Sequence, residues 1–180
     1  MTETSLPGSL TPRQDLERMI RVDHAGEYAA SRIYAGQLAV LGRGAKGDIL
    51  RHMKAQEQVH LDKFSELVVK RRVRPTAMLP LWSVASFALG AITAAMGEKA
   101  AMACTVAVEE TIDAHYAAQS ARLGDDEAPL RDTIEIFRAE ELEHRDIGLD
   151  HGAEQAFGYR LLTRVIKLGC KAAIEISERV

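Results

Sequence analysis

The chain has 180 residues, a formal net charge of −3 and 47% hydrophobic residues, which is enough for one domain with a substantial buried core. Acidic and basic residues are balanced, and this disfavours the broad basic surface that nucleic-acid binding requires. The two cysteines, Cys104 and Cys170, lie far apart and form no CxxC motif, so neither a disulfide framework nor a zinc or rubredoxin-type site is indicated.

The first ten residues are polar, and no basic start precedes an apolar run there. We therefore expect a disordered lead-in at 1–10 rather than a secretory signal, followed by a single domain at 11–180. Thr11 and Pro12 are typical of a helix N-cap and first turn. The helical pattern that they open continues to Leu41, where glycines interrupt it.

Four further helices are predicted, with the ranges 48–70, 79–123, 129–151 and 154–179. Pro75 prevents the second helix from continuing, Gly90 and Gly97 are expected to bend the third, and Gly124 ends it. No stretch alternates polar and apolar residues for long enough to predict a strand. The predicted fold class is therefore all-α.

An uncharged segment of 23 residues, from Pro75 to Gly97, opens the third helix. Its length would suffice to span a bilayer, but polar residues interrupt it and no second spanning segment accompanies it. We favour a helix whose outer face lies in the membrane interface, because four cations between Lys70 and Arg74 precede it. The fifth helix also interleaves apolar and basic residues. Burial of both helices in the bundle is the alternative.

The motif ExxH occurs twice inside predicted helices, at Glu57–His60 and at Glu141–His144. Residues three apart on a helix are separated by about 60° around its axis, so each motif directs a carboxylate and an imidazole to one place. A glutamate on the preceding helix stands before each motif, Glu27 before the first and Glu109 before the second. This internal repeat supplies the ligand pattern of carboxylate-bridged di-iron bundles.

The six side chains fall on the apolar stripes of their helices, where carboxylates repel each other and lose hydration unless something compensates. Two ferrous ions would neutralise the charge of about −4 on four glutamates. Carboxylate oxygens with one nitrogen per metal suit iron or manganese. We therefore predict two iron ions that activate dioxygen, held by Glu27, Glu57, His60, Glu109, Glu141 and His144.

Several neighbouring residues have open roles. His24 lies one turn before Glu27, and a hydrogen bond to a ligand is favoured over direct ligation because the six-ligand set is complete. Tyr34 and Tyr116 lie on metal-facing stripes, where packing is the favoured role and proton or electron relay the alternative. Tyr116 and His24 are the candidate catalytic residues. Three more acidic residues are expected to be solvated or to support the ligands from outside: Glu110, Glu140 and Glu143.

The assembled residues resemble the demethoxyubiquinone hydroxylase family of ubiquinone biosynthesis. The segments that resemble its signatures are 21–28 (RVDHAGEY), 107–110 (AVEE) with His115 and Tyr116, and 140–151 (EELEHRDIGLDH). The resemblance extends from Leu16 to Val180. It implies a ferritin-like four-helix bundle with additional membrane-interface and C-terminal helices, and it carries the family's iron ligands onto the same six residues.

The resemblance also implies an activity, which is the hydroxylation of the quinol ring of demethoxyubiquinol with dioxygen in the penultimate step of ubiquinone biosynthesis. Such an enzyme needs an external electron donor, for which NADH is the candidate. Without a targeting extension, the chain resembles a bacterial member, and we expect a peripheral protein at the cytoplasmic face of the inner membrane. A homodimer and a lipid-presenting helper protein are both compatible with the sequence.

Two other functions fit a di-iron bundle. An iron-storing ferritin cage should have polar outer helices, and the uncharged segment argues against it. A peroxide-reducing protein like rubrerythrin usually carries CxxC pairs, and the sequence has none. Both remain the alternatives to the hydroxylase.

Overall fold

The computed structural model describes residues 10–180, and within that range it contains six α-helices, two short 3₁₀ turns and no strand. The prediction of an all-α fold is confirmed. The expected lead-in at 1–10 lies outside the described residues, except for Leu10. The helices are α1 (Pro12–Leu41), α2 (Gly44–Lys70), α3 (Leu79–Ala95), α4 (Glu98–Ser120), α5 (Ala128–Asp150) and α6 (Tyr159–Arg179).

The first helix begins where the sequence predicts. Thr11 is the N-cap, and its hydroxyl accepts a hydrogen bond from the backbone N–H of Gln14 at 3.2 Å. The Gln14 side chain in turn accepts from the Thr11 backbone N–H at 2.9 Å. This capping box satisfies two otherwise unpaired donors, and Pro12 at the first helical position costs no hydrogen bond.

Four helices form the ferritin-like bundle, and two cover it. α1 packs against α2, and α4 packs against α5, so each half of the internal repeat is a helix pair. The pairs meet through α1 with α4 and through α2 with α5. α3 lies on α1, while α6 lies on α4 and α1, so both covering helices are on the same side of the bundle.

The predicted third helix is two helices, and the expectation of one bent helix over 79–123 is wrong. α3 ends at Ala95 and α4 begins at Glu98, because Gly97 between them adopts a φ of +114°. A backbone at that φ has left the helical region, and it favours a residue without a Cβ. α4 then ends at Ser120, three residues earlier than predicted.

The predicted starts of two other helices also need correction. α2 begins at Gly44 rather than at Asp48, so the glycine-rich segment forms its first turn. The last helix does not run unbroken from Glu154, because a 3₁₀ turn covers Ala153–Gln155 and Gly158 adopts a φ of +68°. Helical geometry resumes only at Tyr159.

Close contact between α1 and α3 depends on two glycines. A Cβ added to Gly36 would overlap the carbonyl oxygen of Phe87, and a Cβ added to Gly90 would overlap the carbonyl oxygen of Ile33. α3 runs uninterrupted through Gly90, which the sequence predicted as a bend. The glycine therefore serves the approach of two backbones rather than a change of direction.

Apolar side chains fill the bundle on both sides of its middle layer. One cluster contains Ile20, Phe64 and Ile134, and the other contains Leu50 and Met102. The six predicted ligands lie between these clusters, because Glu27 follows Ile20 by two turns and the other ligands occupy the matching turns of their helices. Among the residues that the structure describes, no helix has the combined length and apolarity to cross a membrane.

Candidate metal centre

The six predicted ligand residues come together in the middle of the bundle. Glu27 projects from α1, the first ExxH motif from α2, Glu109 from α4 and the second motif from α5. All six side chains are at most 1% exposed. They form two groups whose donor atoms lie within 4.8 Å of one another: Glu27, Glu57, His60 and Glu141 in one, and Glu57, Glu109, Glu141 and His144 in the other.

Glu57 and Glu141 belong to both groups. A carboxylate has two oxygens, so each of these residues can offer one oxygen to each of two neighbouring ions. Each group also has one glutamate and one histidine of its own. We call the first group the Glu27 position and the second the Glu109 position.

Both histidines direct the same ring atom at the carboxylates. His60 Nδ1 lies 3.1 Å from Glu141 Oε1 and 3.4 Å from Glu27 Oε2. His144 Nδ1 lies 3.2 Å from Glu57 Oε1 and 3.4 Å from Glu141 Oε2. The shared orientation makes Nδ1 the atom available to a metal ion at each position.

The outer nitrogens of the two rings have different partners. His60 Nε2 lies 2.5 Å from Glu140 Oε2, whereas His144 Nε2 lies 3.0 Å from Gln56 Oε1. Glu140 was one of the acidic residues expected to be solvated or supportive, and it contacts a ligand histidine. Gln56 was not foreseen. The signal in the sequence is its position directly before an ExxH motif, which Glu140 shares.

Several donor atoms of the cluster have no hydrogen-bond partner among the described residues. They are both carboxylate oxygens of Glu57, Oε2 of Glu27, Glu109 and Glu141, and Nδ1 of His144. The contact between His144 Nδ1 and Glu57 is within ion-pair distance but lacks hydrogen-bond geometry. Unpaired polar atoms in a core are costly and rare. Metal ions at the two positions would satisfy them, so the donor set fits a pair of metal ions.

Burial and mutual charge shift the titration of the cluster. Burial raises the pKa of Glu27, Glu57 and Glu109, and the charge of Glu141 raises it further. Burial also opposes ionisation of Glu141, but contacts with His144 and His60 lower its pKa to about 2.

The histidines respond to those carboxylates in the opposite direction. Burial alone would lower the pKa of His60, yet its contacts with Glu141 and Glu27 raise that pKa to about 12. The pKa of His144 is raised as well, against burial, by Glu141 and Glu109. His60 therefore holds a proton at neutral pH that binding of a metal ion at its Nδ1 would displace.

The two tyrosines contact ligand carboxylates, each on the other half of the repeat. The Tyr116 hydroxyl on α4 donates to Glu27 Oε1 on α1, and the Tyr34 hydroxyl on α1 donates to Glu109 Oε1 on α4 at 2.7 Å. Burial and the nearby carboxylates raise both phenol pKa values well above the ordinary value, so both hydroxyls remain donors. Each tyrosine thus holds the carboxylate that belongs to one position only.

His24 does not join the cluster. It belongs to neither donor group, it is half-buried, and its Nδ1 has no hydrogen-bond partner among the residues described. The neighbouring Asp23 is the buried polar group of this turn, and it accepts a hydrogen bond from Gln119 Nε2 at 2.7 Å. His115 lies 3.5 Å from the same carboxylate. The expected hydrogen bond from His24 to a ligand is therefore absent here.

Comparisons with known proteins agree on one family. The family model described as ubiquinone biosynthesis protein COQ7 matches residues 14–177. The chain is 60% identical over 179 residues to a Rhodospirillum rubrum protein named 3-demethoxyubiquinol 3-hydroxylase, covering 99% of this chain and 84% of the relative. It is 56% identical over 171 residues to a Mus musculus protein named NADPH-dependent 3-demethoxyubiquinone 3-hydroxylase, mitochondrial, covering 93% of this chain and 79% of the relative. A Saccharomyces cerevisiae protein named 5-demethoxyubiquinone hydroxylase, mitochondrial, is 41% identical over 182 residues, with 92% and 78% covered.

Proposed function

The chain belongs to the family of the ubiquinone biosynthesis protein COQ7, and we propose that it is a di-iron monooxygenase that hydroxylates the ring of 3-demethoxyubiquinol. The observation that carries the metal assignment is the pair of overlapping, fully buried donor groups with unpaired carboxylate oxygens. The names of the relatives supply the substrate and reaction. Because those names describe hydroxylases, we set aside the iron-storage and peroxide-reducing alternatives.

We take iron as the metal because the proposed reaction reduces dioxygen and the donor set is compatible with it. Each position offers carboxylate oxygens and a single imidazole nitrogen, which disfavours structural zinc and copper and suits iron or manganese. When bound, two iron ions supply the redox chemistry that reduces dioxygen. One oxygen atom enters the quinol ring, and the other leaves as water after two electrons and two protons are added.

The electrons come from outside the chain. The Mus musculus relative is named NADPH-dependent, and the proposal for this chain is a reduced nicotinamide, with NADH as the candidate from the sequence. Single-turnover assays with NADH and with NADPH would identify the donor.

The chain's own side chains hold the centre and keep water out. Tyr34 and Tyr116 each donate to one oxygen of Glu109 and Glu27, which leaves the second oxygen for a metal ion. Apolar clusters close the bundle on both sides of the centre. A desolvated site of this kind strengthens every electrostatic interaction within it.

An apolar cavity gives the substrate a place beside the centre. Its volume is about 420 Å³, and α1, α3, α4 and α6 line it. The lining includes Gly26 and Val108, which directly precede Glu27 and Glu109 in sequence. Cavities of this size and polarity bind small apolar ligands. We propose that the quinol ring and the first part of its isoprenoid tail occupy this cavity.

The outer faces of α3 and α6 support a peripheral membrane position. On α3, Leu81, Val84 and Ile92 are 52%, 70% and 60% exposed, and α6 exposes Leu161 and Leu168 similarly. Exposed apolar side chains on this scale mark an interaction surface. The basic residues of α6 lie beside them, as expected of a helix in a membrane interface: Arg160, Arg164 and Lys171.

The basic segment before α3 contributes less charge than the sequence suggests. Arg71 is committed to Glu127, with two hydrogen bonds of 2.8 and 2.6 Å, while Lys70, Arg72 and Arg74 are exposed. We propose association with the cytoplasmic face of a bacterial inner membrane. The exposed face of α3 would also serve a homodimer or a lipid-presenting helper protein, and liposome flotation beside size-exclusion chromatography separates these uses.

Quinone content in cells tests the function directly. A strain lacking the protein should accumulate demethoxyubiquinone, and wild-type protein should cure this whereas Glu141→Ala should not. Normal ubiquinone in a deletion strain without a redundant enzyme would remove the quinone from the proposal. Iron analysis of the purified protein tests the centre separately, with two ions per chain expected.

A further inference from the structure

The two halves of the metal centre are related by a crossed pairing that the internal repeat creates. On α1 and α4 the pattern is Glu followed seven residues later by Tyr, and each tyrosine contacts the glutamate of the other helix. On α2 and α5 the residue before each ExxH motif contacts the outer nitrogen of the other motif's histidine. Corresponding residues therefore make corresponding contacts across the centre.

In one pair of corresponding residues the two members differ in charge. The residue that receives His60 Nε2 is Glu140, a carboxylate, and the residue that receives His144 Nε2 is Gln56, a neutral amide. Both are partly buried, and both stand directly before the glutamate that opens an ExxH motif. The tyrosine contacts do not differ in this way.

A second pair of corresponding residues also gives the Glu27 position the more acidic neighbour. The Gln119 side chain donates to Asp23 beside the Glu27 position, whereas its counterpart Gln37 lies 3.1 Å from the Ala101 carbonyl oxygen and 3.4 Å from Thr105 Oγ1. Asp23 and Thr105 each stand four residues before a ligand glutamate. The Glu27 position thus has two acidic neighbours where the Glu109 position has an amide and a hydroxyl.

We propose that Glu140 and Gln56 are positioning residues that make the two metal positions unequal, so that the Glu27 position binds its ion first and more tightly. This inference rests on the proposed function only in taking the centre to hold two ions. Each outer partner fixes its ring so that Nδ1 faces the ion. A carboxylate that accepts the Nε2–H proton makes the imidazole a stronger ligand than an amide oxygen does.

The expected size of the effect follows from the exposure of Glu140. Residues that hydrogen-bond a metal ligand typically change metal affinity by about 10–100-fold when they are substituted. The Glu140 side chain is 36% exposed, so water screens part of its charge. We therefore expect a change of about tenfold, at the lower end of that range.

Stepwise binding of Co²⁺ to the purified chain, followed by absorption spectroscopy, tests the inference without turnover. Wild type should bind two ions with unequal dissociation constants. Glu140→Gln should weaken the tighter step by about tenfold, and Gln56→Glu should tighten the weaker step by a similar factor. The two dissociation constants would approach each other in both variants.

The double variant Gln56→Glu with Glu140→Gln exchanges the two partners and serves as the matched control. It should restore unequal binding with the order reversed. Nitrogen-15 NMR of labelled histidine, recorded at one equivalent of diamagnetic Zn²⁺, would show the His60 resonance shifting first in wild type and the His144 resonance first in the exchange variant. A change of folding alone would not reverse this order.

The outcomes separate the inference from the proposed function. If wild type and all three variants bind two ions with the same ratio of dissociation constants, the inference is overturned and the di-iron centre remains intact. Equal weakening of both steps in Glu140→Gln would overturn it as well. Fewer than two ions in wild type would instead contradict the proposed function itself.

Discussion

Glu57→Gln should make the protein more stable without metal and less stable with it. Glu57 is 0% exposed, both its carboxylate oxygens lack hydrogen-bond partners among the described residues, and it lies among three other ligand carboxylates. A glutamine of the same shape removes one acidic group. Its amide can donate to the unpaired oxygens of Glu109 or Glu141.

The magnitude follows from the unpaired atoms. A buried polar group without a partner costs about 1–3 kcal/mol, and we expect the variant to recover an amount in that range. For a domain of this size each kcal/mol raises the melting temperature by about 2–4 °C. The melting temperature in chelator at pH 8 should therefore rise by roughly 2–12 °C.

Added iron should reverse the order of the two proteins. An ion at 100 times its dissociation constant stabilises the folded state by about 2.7 kcal/mol, and Glu57 is a donor at both positions. Wild type should therefore gain stability anaerobically with Fe²⁺, and Glu57→Gln should gain little. Calorimetry with and without Fe²⁺ measures both effects.

The exposed Glu143 provides the matched control, because it lies inside the second ExxH motif and takes the same substitution. Glu143→Gln should change stability by less than about 0.5 kcal/mol under either condition. If Glu57→Gln melts below wild type in chelator, the cost assigned to the buried carboxylates is wrong. Equal stabilisation of both proteins by Fe²⁺ would show that Glu57 does not bridge the two positions.

Three further predictions concern the cavity, the helix contact and pH. An added Cβ at Gly26 meets nothing within 4 Å, so Gly26→Ala should stabilise α1 by about 0.5–1 kcal/mol and retain hydroxylation, whereas Gly26→Leu should fill the cavity and lower kcat/KM in a mass-spectrometric assay of product formation. Gly90→Ala should lower the free energy of unfolding by about 1–3 kcal/mol, because its methyl group overlaps the Ile33 carbonyl, and Gly169→Ala, which meets nothing within 4 Å, should not. Burial raises the pKa of three ligand glutamates above the unfolded value of 4.5, so their protons stabilise the metal-free fold below that pH, and this contribution is lost as the pH rises through the raised values. Urea midpoints of the chelated protein should therefore fall as the pH rises above 4.5, and bound iron should reduce that slope.

The clustering of the six candidate ligand side chains could be predicted because helical periodicity is a local property. An ExxH motif directs its two side chains to one place in any surroundings. Because Glu27 and Glu109 each precede such a motif, the repeat also indicates which helices must face each other. The Thr11 N-cap was predictable for the same reason, since the capping box involves only four consecutive residues.

Contacts between distant helices could not be predicted in this way. The sequence places Tyr116 on a metal-facing stripe, but only the packing of α4 against α1 shows that its hydroxyl reaches Glu27. The role of Gly90 was misread because a glycine within a helix can permit either a bend or a close neighbour. At Gly97 the sequence is likewise compatible with a bend within one helix or with a break between two helices. The positive φ of Gly97 in the structure makes it a break.

Neither half of the repeat suffices alone, because Glu57 and Glu141 belong to both donor groups. The Glu27 position takes three donors from α1 and α2 and a fourth, Glu141, from α5, while the Glu109 position needs Glu57 from α2. Each ion therefore requires a carboxylate from the opposite helix pair. Metal binding should then stabilise the contact between the pairs as well as the contact within each pair, because each position has donors from both. α2 and α5 also meet directly, through the stacking of His60 on Phe137 and the contacts of His60 with Glu140 and of His144 with Gln56, so the shared glutamates add to an existing side-chain contact.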